Sequence, residues 1–211
     1  MTFWKGIAPG VLAEAGVETT STGLVRVPFR DRDGQTVVSK VFGSSRSWYD
    51  PAGVELIPFG IETLPVSPWI AERSALLVCE GESDALTARE HFPEGDDETL
   101  FWFAIALPGA GVWRRAWRCH LEPFPRVYLL GDGDDPGRRM NRRISADARW
   151  ARPVCLPDGE DVRAILQRDG RDGLLRHLEA ADADAHLAAA LRLATNLDDF
   201  ETLLAGGEVP G

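Results

Sequence analysis

From residue 75 onward, short apolar runs alternate with segments of helical pattern, and this alternation constrains the fold more than any other feature. The predicted strands cover residues 75–79, 101–106, 126–130 and 152–155. The predicted helices cover residues 83–91, 112–120, 138–150 and a stretch that begins at Asp161. Short apolar runs between turn signals are typical of strands buried on both faces. A strand–helix–strand rhythm of this kind predicts an α/β fold, with a parallel sheet covered by helices.

The first of these strands leads directly into an acidic turn, Glu80–Asp84. Gly81 marks the turn, and Ser83 is expected to cap the helix that follows. Glu80 then lies at the carboxyl end of a strand, where open α/β sheets bind their ligands, and Asp84 lies on the first turn of the helix. Two carboxylates at this position favour a cation over a phosphate. The alternative is that Glu80 and Glu82 are solvated loop acids and that Asp84 is an ordinary acid of the first helical turn.

A second acidic turn follows the predicted strand 126–130. Asp132 and Asp134 are separated by one glycine, so a tightly folded backbone can aim both side chains at one point. The loop is expected to end before a helix that starts near Arg138. Together with Glu80, the two aspartates make an oxygen-rich site of the kind that binds Mg²⁺ or Mn²⁺. An ordinary polar strand–helix turn has a similar composition.

Composition narrows the class of protein. The 211 residues are 44% hydrophobic and 27% charged, which are globular values. With no apolar run of membrane-spanning length and no signal-peptide pattern, we expect a soluble cytoplasmic protein without membrane contact. Cys79, Cys119 and Cys155 are far apart, which argues against a disulfide framework and against a cysteine-based zinc site in this chain. The net charge of −10 is unusual for a nucleic-acid-binding protein, but bound divalent cations would offset part of it.

A β-hairpin is predicted ahead of the alternating region. Its strands cover residues 24–30 and 36–42 and flank an Asp-Gly turn. Arg26, Arg30 and Lys40 fall on alternating positions and are expected to line one face of the hairpin. That face is either a phosphate-binding surface or simply the solvated side of a half-buried sheet.

Two later segments carry clusters of arginine. The predicted helix 112–120 places Arg114 and Arg118 one turn apart, beside a pair of tryptophans that we assign to the core. The second cluster follows the Asp-x-Asp loop and consists of Arg138, Arg139, Arg142 and Arg143. A like-charged helix face is commonly just solvated, but the nearby acids favour contact with phosphates.

Three acidic motifs in this order resemble the topoisomerase–primase (TOPRIM) family. They are Glu80-Gly81-x-x-Asp84, Asp132-x-Asp134 and Leu156–Asp161. The resemblance implies a TOPRIM fold, a parallel sheet flanked by helices, at residues 75–161. A small mixed α+β subdomain at 1–74 would precede it, and a short helical segment and tail at 162–211 would follow it. The resemblance also implies Mg²⁺ or Mn²⁺ held by Glu80, Asp84, Asp132, Asp134 and Asp161, with Glu80, Asp132 and Asp134 as the catalytic acids.

Two N-terminal motifs extend the resemblance toward one branch of this family. Pro28–Gly34 and Pro58–Leu64 are similar to the subdomain that precedes TOPRIM in bacterial and phage primases. Topoisomerases and small TOPRIM nucleases lack this subdomain. The resemblance thus implies the RNA-polymerizing core of a DNA primase, in a phage or other mobile element. Such a core synthesises RNA primers from NTPs on single-stranded DNA by metal-dependent nucleotidyl transfer.

The chain departs from the primase pattern at two places. Primases of this type usually carry a lysine shortly before the aromatic-Gly motif, and residues 53–57 contain none. Nucleotide and template would instead be bound by Arg26, Arg30, Lys40, Arg46, Arg114, Arg138 and Arg142. The family more typically shows Asp-Pro-Asp where this chain has Asp161-Val162-Arg163, so an arginine replaces the second acid of this motif.

Two other functions are compatible with the same residues. A TOPRIM nuclease would use the same metal site for hydrolysis, but it has no need of residues 26–64. A degenerate accessory subunit that binds DNA or a helicase would tolerate the missing lysine and Arg163, whereas the intact acids argue against it. For a primase without zinc ligands we expect a separate zinc-binding or template-recognition subunit, or a replicative helicase. Residues 162–204 are the expected docking surface.

Overall fold

The computed structural model describes residues 4–93 and 100–193, with side chains up to residue 189. The helices are α1 Pro9–Glu14, α2 Pro68–Ala71, α3 Glu82–His91, α4 Asp135–Asp147 and α5 Val162–Leu193. The strands are β1 Glu18–Thr19, β2 Val25–Arg30, β3 Thr36–Phe42, β4 Ser47–Asp50, β5 Ser74–Cys79, β6 Phe101–Ala106, β7 Arg126–Leu130 and β8 Arg152–Pro153. Two 3₁₀ turns cover Ile61–Thr63 and Arg115–His120.

The predicted parallel sheet is present, with the strand order β6-β5-β7-β8. β5 is its central strand and is buried along its whole length. Successive side chains of β5 point to opposite faces, so Leu77 packs in one hydrophobic cluster and Leu76 and Val78 in the other. Each face is covered by helices or turns, as expected for strands whose residues are apolar without alternation.

The N-terminal hairpin belongs to an antiparallel sheet with the order β1-β2-β3-β4. β2 and β3 pair as predicted, but the prediction that Arg26 and Lys40 share a face is wrong. Lys40 lies opposite Val27, whereas Arg26 lies opposite Val41. Directly opposed residues of an antiparallel pair point to the same face, so the two basic side chains lie on opposite faces. Lys40 is on the side of the buried Val27.

The two sheets are joined beside β6. The backbone of Phe59 forms an antiparallel bridge with Ala106, with N···O distances of 2.8 and 3.0 Å. The Phe59 ring packs edge-on against Phe29 of β2, which in turn contacts the Tyr49 ring of β4. One hydrophobic cluster therefore includes residues of both sheets and of α5.

Helix α5 is interrupted at Gly170, whose φ of 65° lies in the left-handed region. Beyond this kink, Asp182 accepts hydrogen bonds from Tyr128 and Arg152, at 3.0 and 2.7 Å, and so ties α5 to the parallel sheet. Residues 194–211 lie outside the described residues, so the expected docking surface 162–204 is described only as far as α5. None of the described helices combines the length and the apolar character needed to span a bilayer.

The predicted helix 112–120 is wrong, because the structure has only the 3₁₀ turn Arg115–His120 there. Arg114 lies before this turn in extended backbone, so it does not share a helical stripe with Arg118. Trp113 and Trp117 are buried and pack edge-on against each other, which confirms that this pair belongs to the core.

Candidate active site

The site forms where β5 and β7 end side by side. Cys79, the last residue of β5, pairs with Leu130, the last residue of β7, and Glu80 and Asp132 follow them. The backbone N–H of Asp132 donates to Oε2 of Glu80 over 3.3 Å. β6 lies on the other side of β5, so the strand order reverses here, and open α/β sheets bind ligands in the crevice at such a point.

Helix α3 presents Asp84 to this crevice. The helix begins at Glu82, with Gly81 as its N-cap and no capping side chain, so the prediction that Ser83 is the cap is wrong. The hydroxyl of Ser83 instead accepts a hydrogen bond from Nζ of Lys5 at 3.0 Å. Because α3 starts one residue early, Glu82 is a buried residue of its first turn rather than a solvated loop acid.

Helix α4 also starts earlier than predicted, at Asp135 rather than near Arg138. Asp134 is its N-cap, and Oδ1 of Asp134 accepts a hydrogen bond from the backbone of Gly137 at 2.8 Å. Capping by an aspartate satisfies a backbone N–H that the first helical turn would otherwise leave unpaired. One carboxylate oxygen of Asp134 is thus used within the loop, and the side chain is exposed.

The third acidic segment packs directly on the Asp-x-Asp loop. The N–H of Gly133 donates to the carbonyl of Glu160, and the N–H of Gly159 donates to the carbonyl of Gly133, both at 2.8 Å. A Cβ on Gly133 would lie 1.8 Å from the carbonyl oxygen of Pro157, so only glycine permits this approach. The contact brings Asp161 to the site, where it accepts hydrogen bonds from the backbone of Ala164 and from the guanidinium of Arg163.

Among the acids of this site, Asp132 has the negative charge that is least offset by hydrogen bonds or positive groups. Burial raises its pKa to about 7, and the negative charges of Glu80, Asp84, Asp161 and Asp134 contribute to the shift. Its Oδ1 is buried and has no hydrogen-bond partner. Burial also raises the pKa of Glu80, with a contribution from Asp134, and the hydrogen bond from the Asp132 backbone acts in the opposite direction.

Asp84 has partners that Asp132 lacks. Burial and the charge of Asp161 raise the pKa of Asp84 to about 6. The backbone N–H of Arg163, which donates to its Oδ1 at 3.3 Å, and the charges of Lys5 and Arg163 oppose the shift.

No three histidine, cysteine, aspartate or glutamate side chains form a ready-made metal site within residues 4–93 and 100–193. The five predicted acids therefore do not form a complete set of metal ligands in this structure. Asp134 and Asp161 each use one carboxylate oxygen to cap a helix. The chemistry of the site nevertheless fits a divalent cation. Oδ1 of Asp132 is buried, has no hydrogen-bond partner and is surrounded by other carboxylates. A hard divalent cation, which prefers oxygen ligands, would stabilise it.

Lys40 reaches the first turn of α3 and forms a contact that the sequence did not indicate. Its Nζ donates to both carboxylate oxygens of Glu82, at 2.8 and 3.0 Å, and the two side chains are 15% and 3% exposed. The ammonium also lies 5.3 and 5.8 Å from the rings of Phe42 and Tyr49. The chain has two lysines, and Lys5 contacts the next residue of the same turn. That the chain contains only two lysines was the one sequence feature that could have drawn attention to this contact.

Five other predicted phosphate-binding side chains lie at or near the surface, and four of them have partners of their own. Arg26 pairs with Asp50 at 2.8 Å, Arg114 pairs with Glu55, and Arg46 lies over the ring of Trp48 at 5.7 Å. Arg138 pairs with Asp135 and Asp158, at 3.0 and 3.1 Å, and Arg142 is exposed on α4.

Arg30 belongs to a different region. With Glu62, Thr63 and Arg89 it lines a cavity of about 500 Å³, and none of the five candidate metal-binding acids is among the described lining residues. The structure therefore does not bring Arg30 together with the carboxylates.

Comparison with known proteins adds sequence relatives of two kinds. The Gene 57 protein of Mycobacterium phage D29 is 30% identical over 103 residues, which are 49% of this chain and 62% of the relative. A DNA primase of Myxococcus xanthus is 30% identical over 149 residues, which are 66% of this chain and 23% of the relative. The chain thus spans less than two thirds of either relative. No protein-family model matches it.

Solved structures give a more extensive match. A DnaG catalytic core superimposes with a TM-score of 0.67 over 95% of this chain and 79% of its own, at 16% identity. A DnaG catalytic domain bound to single-stranded DNA gives 0.64 over 97% and 81%, at 17% identity. The primase fragment of the bacteriophage T7 primase-helicase gives 0.63 over 82% and 72%, at 20% identity. The chain has the fold of bacterial and phage primase catalytic cores.

Proposed function

We propose that this chain is the catalytic core of a DNA primase, which makes RNA primers from NTPs on single-stranded DNA by nucleotidyl transfer. The observation that carries the proposal is Oδ1 of Asp132, which is buried, has no hydrogen-bond partner and is surrounded by other acids at the point where the strand order of the parallel sheet reverses. Carboxylates arranged to place metal ions, with no nucleophilic side chain, suit a reaction in which a hydroxyl attacks a phosphate.

Glu80 and Asp132 would hold the divalent cation, and Asp134 would add the carboxylate oxygen that does not cap α4. Mg²⁺ or Mn²⁺ bound there would lower the pKa of the attacking 3′-hydroxyl and neutralise charge on the leaving pyrophosphate. The chain's own groups hold the ligands in place: the Asp132–Glu80 hydrogen bond fixes the two strand ends, and the Gly133–Glu160 contact fixes the loop. Such positioning is the main protein contribution to phosphoryl transfer.

Basic side chains would bind the phosphates of NTPs and template. Lys40 is held beside the crevice by Glu82, and Arg138 and Arg142 lie on the helix that Asp134 caps. One solved relative is described as bound to single-stranded DNA, which supports a template of that kind here. We also propose that a separate zinc-binding or template-recognition subunit, or a helicase, acts with this chain. One relative combines a primase with a helicase, and another contains a zinc-binding domain.

The test is a primer-synthesis assay. The purified chain is incubated with single-stranded DNA, NTPs and Mg²⁺ or Mn²⁺, and the products are resolved on a sequencing gel. We expect short RNA products that disappear in Asp132→Asn and persist in Asp172→Asn, an exposed aspartate on α5. Degraded template without RNA products would instead identify a nuclease, and neither product would favour the accessory-subunit function.

A further inference from the structure

The acids at the end of the parallel sheet fall into two groups that differ in their positive neighbours. Glu80 and Asp132 form the first group, joined by the 3.3 Å hydrogen bond from the Asp132 backbone. Every charged group that acts strongly on Asp132 is another carboxylate, and its Oδ1 has no hydrogen-bond partner. Among the described residues, no basic group is found among the charges that act on either carboxylate.

Asp84 and Asp161 form the second group, and it contains a guanidinium. Nη2 of Arg163 donates to Oδ2 of Asp161 at 2.8 Å, and the backbone N–H of Arg163 donates to Oδ1 of Asp84 at 3.3 Å. Arg163 is 28% exposed in its side chain and Asp161 is 26% exposed, so the pair is largely shielded from solvent. Lys5 adds a second positive charge that acts on Asp84.

In the second group, both carboxylate oxygens of Asp161 already accept hydrogen bonds from the protein. Oδ1 of Asp161 accepts from the backbone of Ala164 at 2.6 Å, which caps the start of α5. With one oxygen on the helix cap and the other on Arg163, Asp161 has no oxygen free of a protein partner. A divalent cation at Asp161 would have to displace a guanidinium or open a helix end.

We propose that Arg163 takes the place of a second divalent cation, so that the site binds a single ion, at Glu80 and Asp132 with the free oxygen of Asp134, and none at Asp84 and Asp161. This inference rests on the proposed function for the presence of any metal, and it adds which carboxylates bind the ion and which do not. A fixed guanidinium beside Asp84 and Asp161 supplies positive charge without the need for a bound ion, and it can also contact phosphate oxygens.

The experiment counts Mn²⁺ bound to the full chain, by electron paramagnetic resonance or calorimetry, without nucleotide or DNA. We expect one Mn²⁺ per wild-type chain, and binding weakened more than about tenfold in Asp132→Asn. Arg163→Gln keeps the backbone N–H to Asp84 but removes the positive charge, and it should bind a second Mn²⁺. Arg163→Lys, which retains a positive charge, should bind one.

Arg168→Gln is the matched control. Arg168 lies on the same helix and pairs with Glu160 and Asp169 at the surface, so its loss should leave the count at one. Two ions on the wild-type chain, or an unchanged count in a folded Arg163→Gln, would overturn the inference while leaving the proposed function intact. No Mn²⁺ on the wild-type chain would overturn both the inference and the metal site of the proposed function. Primer synthesis, assayed separately, would report on the function itself.

Discussion

Lys40 donates to both carboxylate oxygens of Glu82, and this ion pair links β3 of the antiparallel sheet to the first turn of α3. Glu82 stands between Glu80 and Asp84 in the sequence, so the pair is anchored on the same turn as two of the candidate metal-binding acids. Its burial means that neither charge is well solvated, so each depends on the other.

Replacing Glu82 with Gln should destabilise the fold by about 3–5 kcal/mol, because it leaves the Lys40 ammonium buried without a counter-charge. The double variant Glu82→Gln/Lys40→Met should recover a large part of this loss. Chemical denaturation of the three proteins measures both values. Asp50→Asn, which breaks the exposed Arg26–Asp50 pair, serves as the control and should cost less than about 1 kcal/mol. A loss of similar size in Asp50→Asn would contradict this account.

In the metal-free protein, the stability contributed by Asp132 and Asp84 should fall as pH rises from about 4 to about 7. The folded-state pKa values of Asp132 and Asp84, about 7 and about 6, lie above the ordinary aspartate value. The folded state therefore binds these protons more tightly than the unfolded state, and their release at higher pH favours unfolding.

Thermal melts in EDTA at pH 5 and pH 8 measure this effect. For Asp132 we expect a contribution on the order of 1 kcal/mol after solvent screening, or about 2–4 °C. The difference between the two pH values should shrink in Asp132→Asn, and Mn²⁺ should restore stability at pH 8 in the wild type. An equal pH dependence in Asp132→Asn would rule out Asp132 as its source.

Gly133→Ala should disrupt the site without requiring any change of charge. The new Cβ would meet the carbonyl oxygen of Pro157, so the Asp-x-Asp loop and the segment before α5 must separate. We expect a loss of about 1–3 kcal/mol in unfolding free energy and weaker Mn²⁺ binding. Gly111→Ala, where a Cβ has no neighbour within 4 Å, is the matched control and should leave both unchanged. Wild-type Mn²⁺ affinity in Gly133→Ala would show that this packing does not shape the site.

The exposed arginines of α4 should contact nucleic-acid phosphates rather than bases. Arg139→Gln/Arg142→Gln should weaken binding to single-stranded DNA of any sequence, and the slope of log K against log salt should fall by about 1.4. Fluorescence anisotropy across a salt series gives this slope. Arg168→Gln provides the comparison, since Arg168 lies on α5 in surface ion pairs. An unchanged slope in the double variant would show that this face of α4 is only solvated and does not contact phosphates.

The purified chain alone should initiate primers inefficiently and without sequence preference. The given sequence holds no cysteines and histidines with the spacing of a zinc site, so under the proposed function template selection should depend on another subunit or domain. Priming on defined single-stranded templates tests this expectation. Abundant primers from one preferred start site, made by the isolated chain, would show that no partner is needed.

The strands of the parallel sheet could be predicted well because a buried strand is marked by its own residues, without reference to distant partners. Strands 101–106 and 126–130 have the predicted bounds, since each is a continuous apolar run between polar turns. The meeting of Glu80 and Asp132 followed from topology, because parallel strands end at the same edge of a sheet.

Some wrong predictions are local, such as the helix at 112–120 and the Ser83 cap, and others concern partners that are distant in sequence. Which face Lys40 occupies depends on the register between β2 and β3, and a one-residue change in the turn reverses it. The irregularity at Phe29 and Arg30 is not visible in the residue pattern. The hydrogen bond from the Arg163 backbone to Asp84 joins residues 79 positions apart, and no periodicity encodes such a contact.

The bridge between Phe59 and Ala106 also bears on self-association. β6 is an edge strand, and unpaired backbone groups along such an edge can recruit a strand from another copy. Phe59 pairs with the end of β6, and the guanidinium of Arg89 donates to the carbonyl of Ala104 at 2.8 and 3.1 Å. The opposite edge is β8, which is only two residues long. The segment that joins the two sheets thereby also protects the parallel sheet against edge-to-edge aggregation.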